Sequence, residues 1–259
     1  GSGDAVRSAV VTQIADVVAA ACDQLQEVRT GTATLDLESI IANRRIRLPD
    51  GDSVTLRRFV PSSWEQLKKN QVGVVNRQLT VLRLENLSGE PIAVLTSLGC
   101  HNDTSGMYAP IGWSGDFFGH AMLTLERLYP DCTALIGFGA GADVDTDFVP
   151  YLNLSTARDE YPFQRFGRSL AAQIATACER VEVDEGGRVE VRVASVSVQL
   201  RESETDSQTE TAELQVIAIG PLVVLGVPGE LFAQTGIEVS TAQRGDLILF
   251  GLANDDLGY

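Results

Sequence analysis

Several apolar runs in this chain end abruptly, and what stands just past each end constrains it most. Ile92 to Leu98 is a near-continuous apolar stretch that breaks into Gly99-Cys100-His101-Asn102-Asp103. Leu222 to Val227 breaks into Pro228-Gly229-Glu230-Leu231-Phe232, and Leu247 to Leu252 leads into Ala253-Asn254-Asp255-Asp256-Leu257-Gly258-Tyr259. Short apolar runs punctuated by glycine or proline read as buried strands. One histidine, one glutamate and one tyrosine therefore stand just past three strands. Polar residues delivered by the ends of a rigid sheet are how α/β proteins build sites. His101, Glu230 and Tyr259 together could hold a metal ion.

Helical patterns alternate with these strands. Residues 4 to about 26 carry Val6, Val10, Ile14, Val17, Val18, Ala21 and Leu25 at helical spacing, with Asp4 as N-cap. Residues 116–128 and 159–181 read as helices, the second with Phe166, Leu170, Ile174, Ala177 and Val181 on one face, and a further helix spans 230–240. Thr32 to Leu37 alternates like a strand. Leu79 to Leu84 and Ile92 to Leu98 form a hairpin around Ser88-Gly89-Glu90-Pro91. Thr133 to Phe138 is a short buried strand, and Val189 to Leu200 alternates strongly. A second hairpin joins 214–219 to 222–227 around Gly220-Pro221. Residues 43–70 read as loop-rich with a short helix after Pro61-Ser62-Ser63, residues 104–114 as a Gly-rich aromatic loop, and the polar stretch 201–212 as a mobile surface loop. Hairpins mixed with crossovers predict an α/β fold, a three-layer domain with a mixed β-sheet flanked by helices, as one domain over residues 1–259.

With 259 residues and 44% hydrophobic content the chain can bury a substantial core. Its net charge of −15 leaves too little positive charge to neutralise phosphates, which excludes nucleic acid as the expected partner. Cys22, Cys100, Cys132 and Cys178 have no C-x-x-C spacing and read as buried reduced thiols. No apolar run as long as 18 residues is apparent, so no transmembrane segment is expected. There is no signal peptide pattern, which leaves the compartment open with the cytoplasm as the default. Gly1-Ser2-Gly3 reads as a trimmed start.

The individual candidates each have a plain alternative. His101 leaves a strand into a glycine-containing loop and faces a cleft, whereas His120, inside a helix, reads as a partly exposed or core residue. Glu230 is either a ligand or a cap of the helix that follows it. Asp143, Asp145 and Asp147 have a calcium-like alternation, but the other ligands of an EF-hand loop are missing, so a shaped pocket floor is the economical reading. The Gly139-Ala140-Gly141 turn lacks the lysine of a P-loop. Arg44 and Arg45 are either solvated charges or a clamp for an oxyanion or carboxylate. No G-x-S-x-G or H-E-x-x-H motif is present.

Taken in order, several stretches resemble the catalytic domain of the neutral/alkaline non-lysosomal ceramidase family and its bacterial relatives. They are Ala42-Asn43-Arg44-Arg45, Ile92-Ala93-Val94-Leu95 through Cys100-His101, Ser114-Gly115-Asp116, Gly139 to Val144, Phe166-Gly167-Arg168-Ser169-Leu170-Ala171, Pro228-Gly229-Glu230-Leu231-Phe232, and Gly251-Leu252-Ala253-Asn254. The resemblance implies a zinc-dependent hydrolase cleaving an N-acyl amide bond, with a small-molecule amide or N-acyl lipid as substrate. It maps zinc ligands onto His101, Glu230 and Tyr259, and an active-site arginine onto Arg44. Lewis-acid chemistry by zinc, with Arg44 stabilising developing negative charge, would follow.

The departures from the family pattern are specific. The N-terminal Thr-His-Thr-His-Ser-Gly-Pro motif, its strand and the C-terminal β-sandwich are absent from the sequence. Asp145 stands near the position of the family's catalytic serine, where it would shape the pocket or accept a proton. Asp256 stands where the terminal motif has its first tyrosine-like residue. Two further expectations come from these departures: an N-terminal fragment or a homo-oligomer that completes the sheet, and, as the alternative function, a catalytically inert ceramidase-like domain acting as a binding or assembly subunit.

Overall fold

Where apolar residues alternate the chain forms strands, and where they recur every three or four residues it forms helices. The computed structural model describes residues 2–38, 40–47, 53–55, 73–104, 113–146, 162–184, 189–201 and 207–257. In chain order the elements are helix α1 (Ser2–Asp23), then strands β1 (Arg29–Asp36), β2 (Ile41–Asn43), β3 (Arg45–Arg47), β4 (Ser53–Thr55), β5 (Gln78–Glu85) and β6 (Pro91–Leu98). Helix α2 (Asp116–Leu128), strands β7 (Thr133–Phe138) and β8 (Val144–Thr146), and helix α3 (Pro162–Cys178) follow. The remainder is β9 (Val189–Arg201), β10 (Ser207–Ile219), β11 (Leu222–Gly226), helix α4 (Ala233–Ala242) and β12 (Leu247–Phe250).

The fold is α/β, with mixed sheets flanked by helices, as the sequence pattern predicts. The long strands divide into two four-stranded sheets, ordered β1-β5-β6-β7 and β12-β11-β10-β9. Each is mixed: β6–β7 and β11–β12 are parallel, and the other neighbours are antiparallel. Two small antiparallel pairs, β2–β8 and β3–β4, complete the strands.

Both faces of the first sheet are covered, by different partners. Leu79, Val81, Val94, Leu98 and Ala134 pack with Phe117, Phe118 and Leu125 of α2 and Phe166, Leu170 and Ile174 of α3. The opposite face presents Leu82, Leu84 and Leu95 to Ile217, Ile219, Leu222, Val224, Ile248 and Phe250 of the second sheet. A fully buried Phe or Leu side chain contributes about 1.5–3 kcal/mol, so these two seams account for much of the cohesion. Helices α2 and α3 approach closely because Gly167 has no side chain: a Cβ there would lie 2.5 Å from the Cβ of His120 and 2.8 Å from the Phe117 carbonyl oxygen. The His120 ring packs on Phe163 with centroids 5.2 Å apart, in keeping with its reading as a partly buried helix residue.

Two expectations need amendment, for residues 207–212 and for Cys22, and helix α1 stands apart from the core. Residues 207–212, read as part of a mobile loop, belong to β10 and pair with β9 from Ser207↔Arg201 to Ala212↔Val196. Their β-branched threonines and a long partner strand outweigh their polarity, because this hairpin is exposed and needs no apolar outer face. Helix α1 is exposed along its described length, with Val6, Val10, Val11, Ile14, Val17 and Val18 each at least 48% accessible. By length and composition alone its span Asp4–Asp23, with mean hydropathy 1.4, is long and apolar enough to cross a membrane, although Arg7 and Asp16 interrupt it. Finally, Cys22 is exposed, while Cys100, Cys132 and Cys178 are buried, and no disulfide forms among the four. The short helix after Pro61 and most of the 104–114 loop lie outside the described residues.

Candidate functional site

Four strand ends converge. The parallel strands β6 and β7 leave the first sheet side by side, and their exits cross so closely that only glycine fits. A Cβ on Gly99 would stand 2.3 Å from the Ala140 carbonyl oxygen, and one on Gly141 would stand 2.3 Å from the Cys100 nitrogen. From the second sheet, the exits of β11 and β12 are tied to each other by Val227 N–H donating to the Phe250 carbonyl at 2.8 Å. They are tied to the first sheet by Gly251 N–H donating to Phe138 at 2.9 Å and Ala142 N–H donating to Leu231 at 3.0 Å. His101 and Glu230, 129 positions apart in the chain, are thereby brought to one place.

The His101 backbone N–H donates to the Val144 carbonyl at 3.0 Å, and its ring rests against Phe138 with centroids 5.5 Å apart. Its Nε2 lies 3.1 Å from the Ala142 carbonyl oxygen and 3.8 Å from Glu230 Oε2. A carbonyl oxygen only accepts, so Nε2 carries the proton in this arrangement. Both side chains are mostly buried, with 20% and 23% accessibility. Glu230 Oε2 is fully buried and makes no hydrogen bond. Leaving a carboxylate oxygen out of water without a donor costs free energy, so such an atom marks a position where something else is expected to bind.

Arg44 comes from the turn between β2 and β3. Its Nη2 donates to the same Ala142 carbonyl at 2.6 Å, and its Nη1 lies 3.8 Å from Asp145 Oδ1. The Ala142 oxygen therefore accepts from both a guanidinium and an imidazole, using its two lone pairs. Asp145, on β8, is buried beside Arg44. Arg45 turns away, its guanidinium 4.4 Å from the centroid of the Phe232 ring, a cation–π contact. His101 and Arg44 thus meet at one backbone carbonyl, with Glu230 beside the first and Asp145 beside the second. Tyr259 and Asp147 lie outside the described residues.

The cap of α4 is one point on which the structure speaks. Glu230 does not cap the following helix, since α4 begins at Ala233 and Phe232 occupies its N-cap position without a side-chain bond. The cap comes from far away: Asp143 Oδ1 accepts from the Ala233 N–H at 2.8 Å, while its Oδ2 accepts from Asn43 Nδ2 at 2.7 Å. A carboxylate at a helix N-terminus satisfies an orphan donor and complements the helix dipole. Asp143 is consequently occupied in joining β2, the β7 exit and α4. Asn43 and Asp143 are a positioning pair that the sequence reading did not bring together. Asp143 was named only in an acidic alternation and Asn43 only inside a quoted motif, and nothing in their spacing says that they meet. The Ala142 carbonyl could not be found from side-chain identity at all.

An imidazole nitrogen and a carboxylate oxygen are both suitable zinc ligands, and the orphaned Glu230 oxygen beside His101 fits that use. Among the described residues no group of three or more His, Cys, Asp or Glu side chains is assembled for a metal. A third ligand of these types would come from outside them, and His101 Nε2 would have to give up its contact with Ala142.

Neither a protein-family model nor a curated protein sequence matches the chain. Solved structures do match in three dimensions, two ceramidases among them. The neutral ceramidase from Pseudomonas aeruginosa superimposes with a TM-score of 0.69 at 16% identity, over 96% of this chain and 49% of that chain. A ceramidase complexed with C2 superimposes with a TM-score of 0.62 at 15% identity, over 90% of this chain and 48% of that chain. The fold is ceramidase-like, and the chain spans about half the length of these structures.

Proposed function

We propose that this chain is a ceramidase-like domain carrying part of a zinc-dependent amide hydrolase site, with an N-acyl amide as the substrate class. The observation that carries the proposal is the buried, unbonded Glu230 Oε2 lying 3.8 Å from His101 Nε2. His101 and Glu230 would hold the ion, with Tyr259 as the further ligand that the family resemblance implies. Bound there, zinc would supply Lewis acidity towards the amide carbonyl and activate a water. Arg44, already a donor at this place, would turn a guanidinium N–H towards the oxygen that gains negative charge. Asp145 would hold Arg44 in position and accept a proton. One sheet edge is open: β7 pairs only with β6 among the described strands, and its Leu135 is 52% exposed. An N-terminal fragment or a second copy pairing with that edge is therefore part of the proposal.

Elemental analysis of protein purified without chelators or a metal-affinity tag is the test, comparing wild type with Glu230→Ala. About one zinc per chain in wild type and none in the variant supports the reading, since removing one of three ligands lowers affinity by orders of magnitude. Zinc retained by Glu230→Ala would sink it. A second reading, an inert ceramidase-like domain serving as a binding or assembly subunit, is favoured by the contact of His101 Nε2 with the Ala142 carbonyl. It predicts no zinc in either protein.

A further inference from the structure

A separate cavity of about 350 Å3 lies between the first sheet and the elements that cross over it, α4 and the start of β12. Gly99 and Ala140 line it, each two residues before a residue of the site described above, but His101, Glu230, Arg44 and Asp145 do not. The sheet changes character where it forms this floor. Under the second sheet it presents Leu82, Leu84 and Leu95. Under α4 it presents Thr34, Gln78, Thr80 and Ser97 instead, and α4 adds Ser240. Thr34 and Gln78 are exposed, Ser97 and Ser240 half-buried and Thr80 buried, so this polar floor is open to a solute from solvent.

Among the described residues the cavity has one charged lining group, Asp246, at the entry to β12. Its carboxylate is held by two hydroxyls of β1: Thr32 Oγ1 donates to Oδ2, and Thr34 Oγ1 donates to Oδ1 at 3.4 Å. Thr34 is in turn 2.9 Å from the Thr80 hydroxyl. A carboxylate accepts about four hydrogen bonds, so two threonines hold it in place and leave capacity for a ligand. No residue lining the cavity, among those described, is positively charged. The net charge of −15 further raises the local concentration of cations.

We propose that this cavity binds a small hydroxylated amine, with the ammonium group on Asp246 and the hydroxyls on Thr34, Gln78, Thr80, Ser97 and Ser240. The hydroxyl and amide groups both donate and accept, which matches a polyol. The fixed carboxylate selects the amine over its neutral analogue by a charge-assisted hydrogen bond. The site is independent of zinc and of the reaction proposed above.

Serinol and glycerol are suitable probes, since they differ only by an ammonium in place of the central hydroxyl. Titration calorimetry in an amine-free, low-salt buffer should give serinol a dissociation constant at least about tenfold below that of glycerol. Asp246→Asn should erase this preference and leave glycerol unaffected. Ser240→Leu, which fills the cavity from α4, should abolish binding of both and decides the matter if Asp246→Asn does not fold. Chelator-treated protein should bind serinol unchanged, which separates failure here from failure of the zinc reading. Equal affinity for both probes, no serinol binding up to roughly 50 mM, or undiminished binding in either variant would each overturn the proposal.

Discussion

Replacing Asp143 with asparagine changes one atom and should cost more stability than most surface substitutions. The side chain is buried, and both carboxylate oxygens accept a hydrogen bond, from Ala233 N–H and from Asn43 Nδ2. The Asn43 amide cannot turn over to adapt. Its Nδ2 also donates to the Val74 carbonyl at 2.8 Å, and its Oδ1 accepts from the Arg45 N–H at 2.8 Å. An asparagine at 143 therefore keeps one partner and sets its own NH2 group against a donor. A hydrogen bond to a charged group contributes about 1.5–3 kcal/mol. The negative charge at the N-terminus of α4 adds about 0.3–1 kcal/mol. Together they place the loss at about 2–4 kcal/mol, which lowers the melting temperature by roughly 5–15 °C for a chain of this size. Urea unfolding followed by circular dichroism, with an unchanged m-value, measures it directly. Asn43→Ala combined with Asp143→Ala should cost less than the sum of the single changes, since the two residues share a bond. A loss below about 0.5 kcal/mol for Asp143→Asn, the size of an ordinary surface effect, would refute the reasoning.

The helix interface offers a second case. Gly167→Ala gains about 1 kcal/mol of helix propensity, but its Cβ would collide with His120 and the Phe117 carbonyl, so a net loss of about 1–3 kcal/mol is expected. A raised melting temperature for that variant would contradict the packing described. The third concerns alkaline pH. Burial pushes the Cys178 thiol up from 9.0 to about 12. The unfolded thiol therefore ionises first, so the stabilisation is complete below pH 9 and is lost as pH rises towards 12, by about 1.4 kcal/mol at pH 10. Comparing urea midpoints of wild type and Cys178→Ala at pH 8 and 10 isolates this term, and parallel behaviour of the two proteins would rule it out. Cys22 should react with a thiol reagent in the folded protein at pH 8, whereas Cys178 should react only after unfolding.

Much of the fold was legible because it rests on local pattern. The helix at Asp116–Leu128 and the strand at Thr133–Phe138 match the expected ranges, and the hairpin joining β5 to β6 lies within two residues of them. The site was legible in part. His101 and Glu230 could be picked out as polar residues past strand ends, and they do meet. The Asn43–Asp143 bond spans 100 positions and depends on how two strand exits cross, which no local pattern encodes. Polarity misled the reading of residues 207–212, because an exposed hairpin has no core to demand an apolar face. At α1 the helical spacing was read correctly, but a valine-rich stripe reports what a helix can cover, not whether anything lies against it.

The distant origin of the site residues has a kinetic consequence. Asn43, His101, Asp143 and Glu230 lie on four well-separated segments, and none of their contacts closes within a single helix or hairpin. The entropy of closing such long loops is lost before the contacts return it, so the site is expected to assemble after both hairpins and the α2–α3 pair have formed. During refolding, the chain would carry most of its secondary structure before Ala233 finds its carboxylate, and α4 would be the last helix to acquire a fixed beginning.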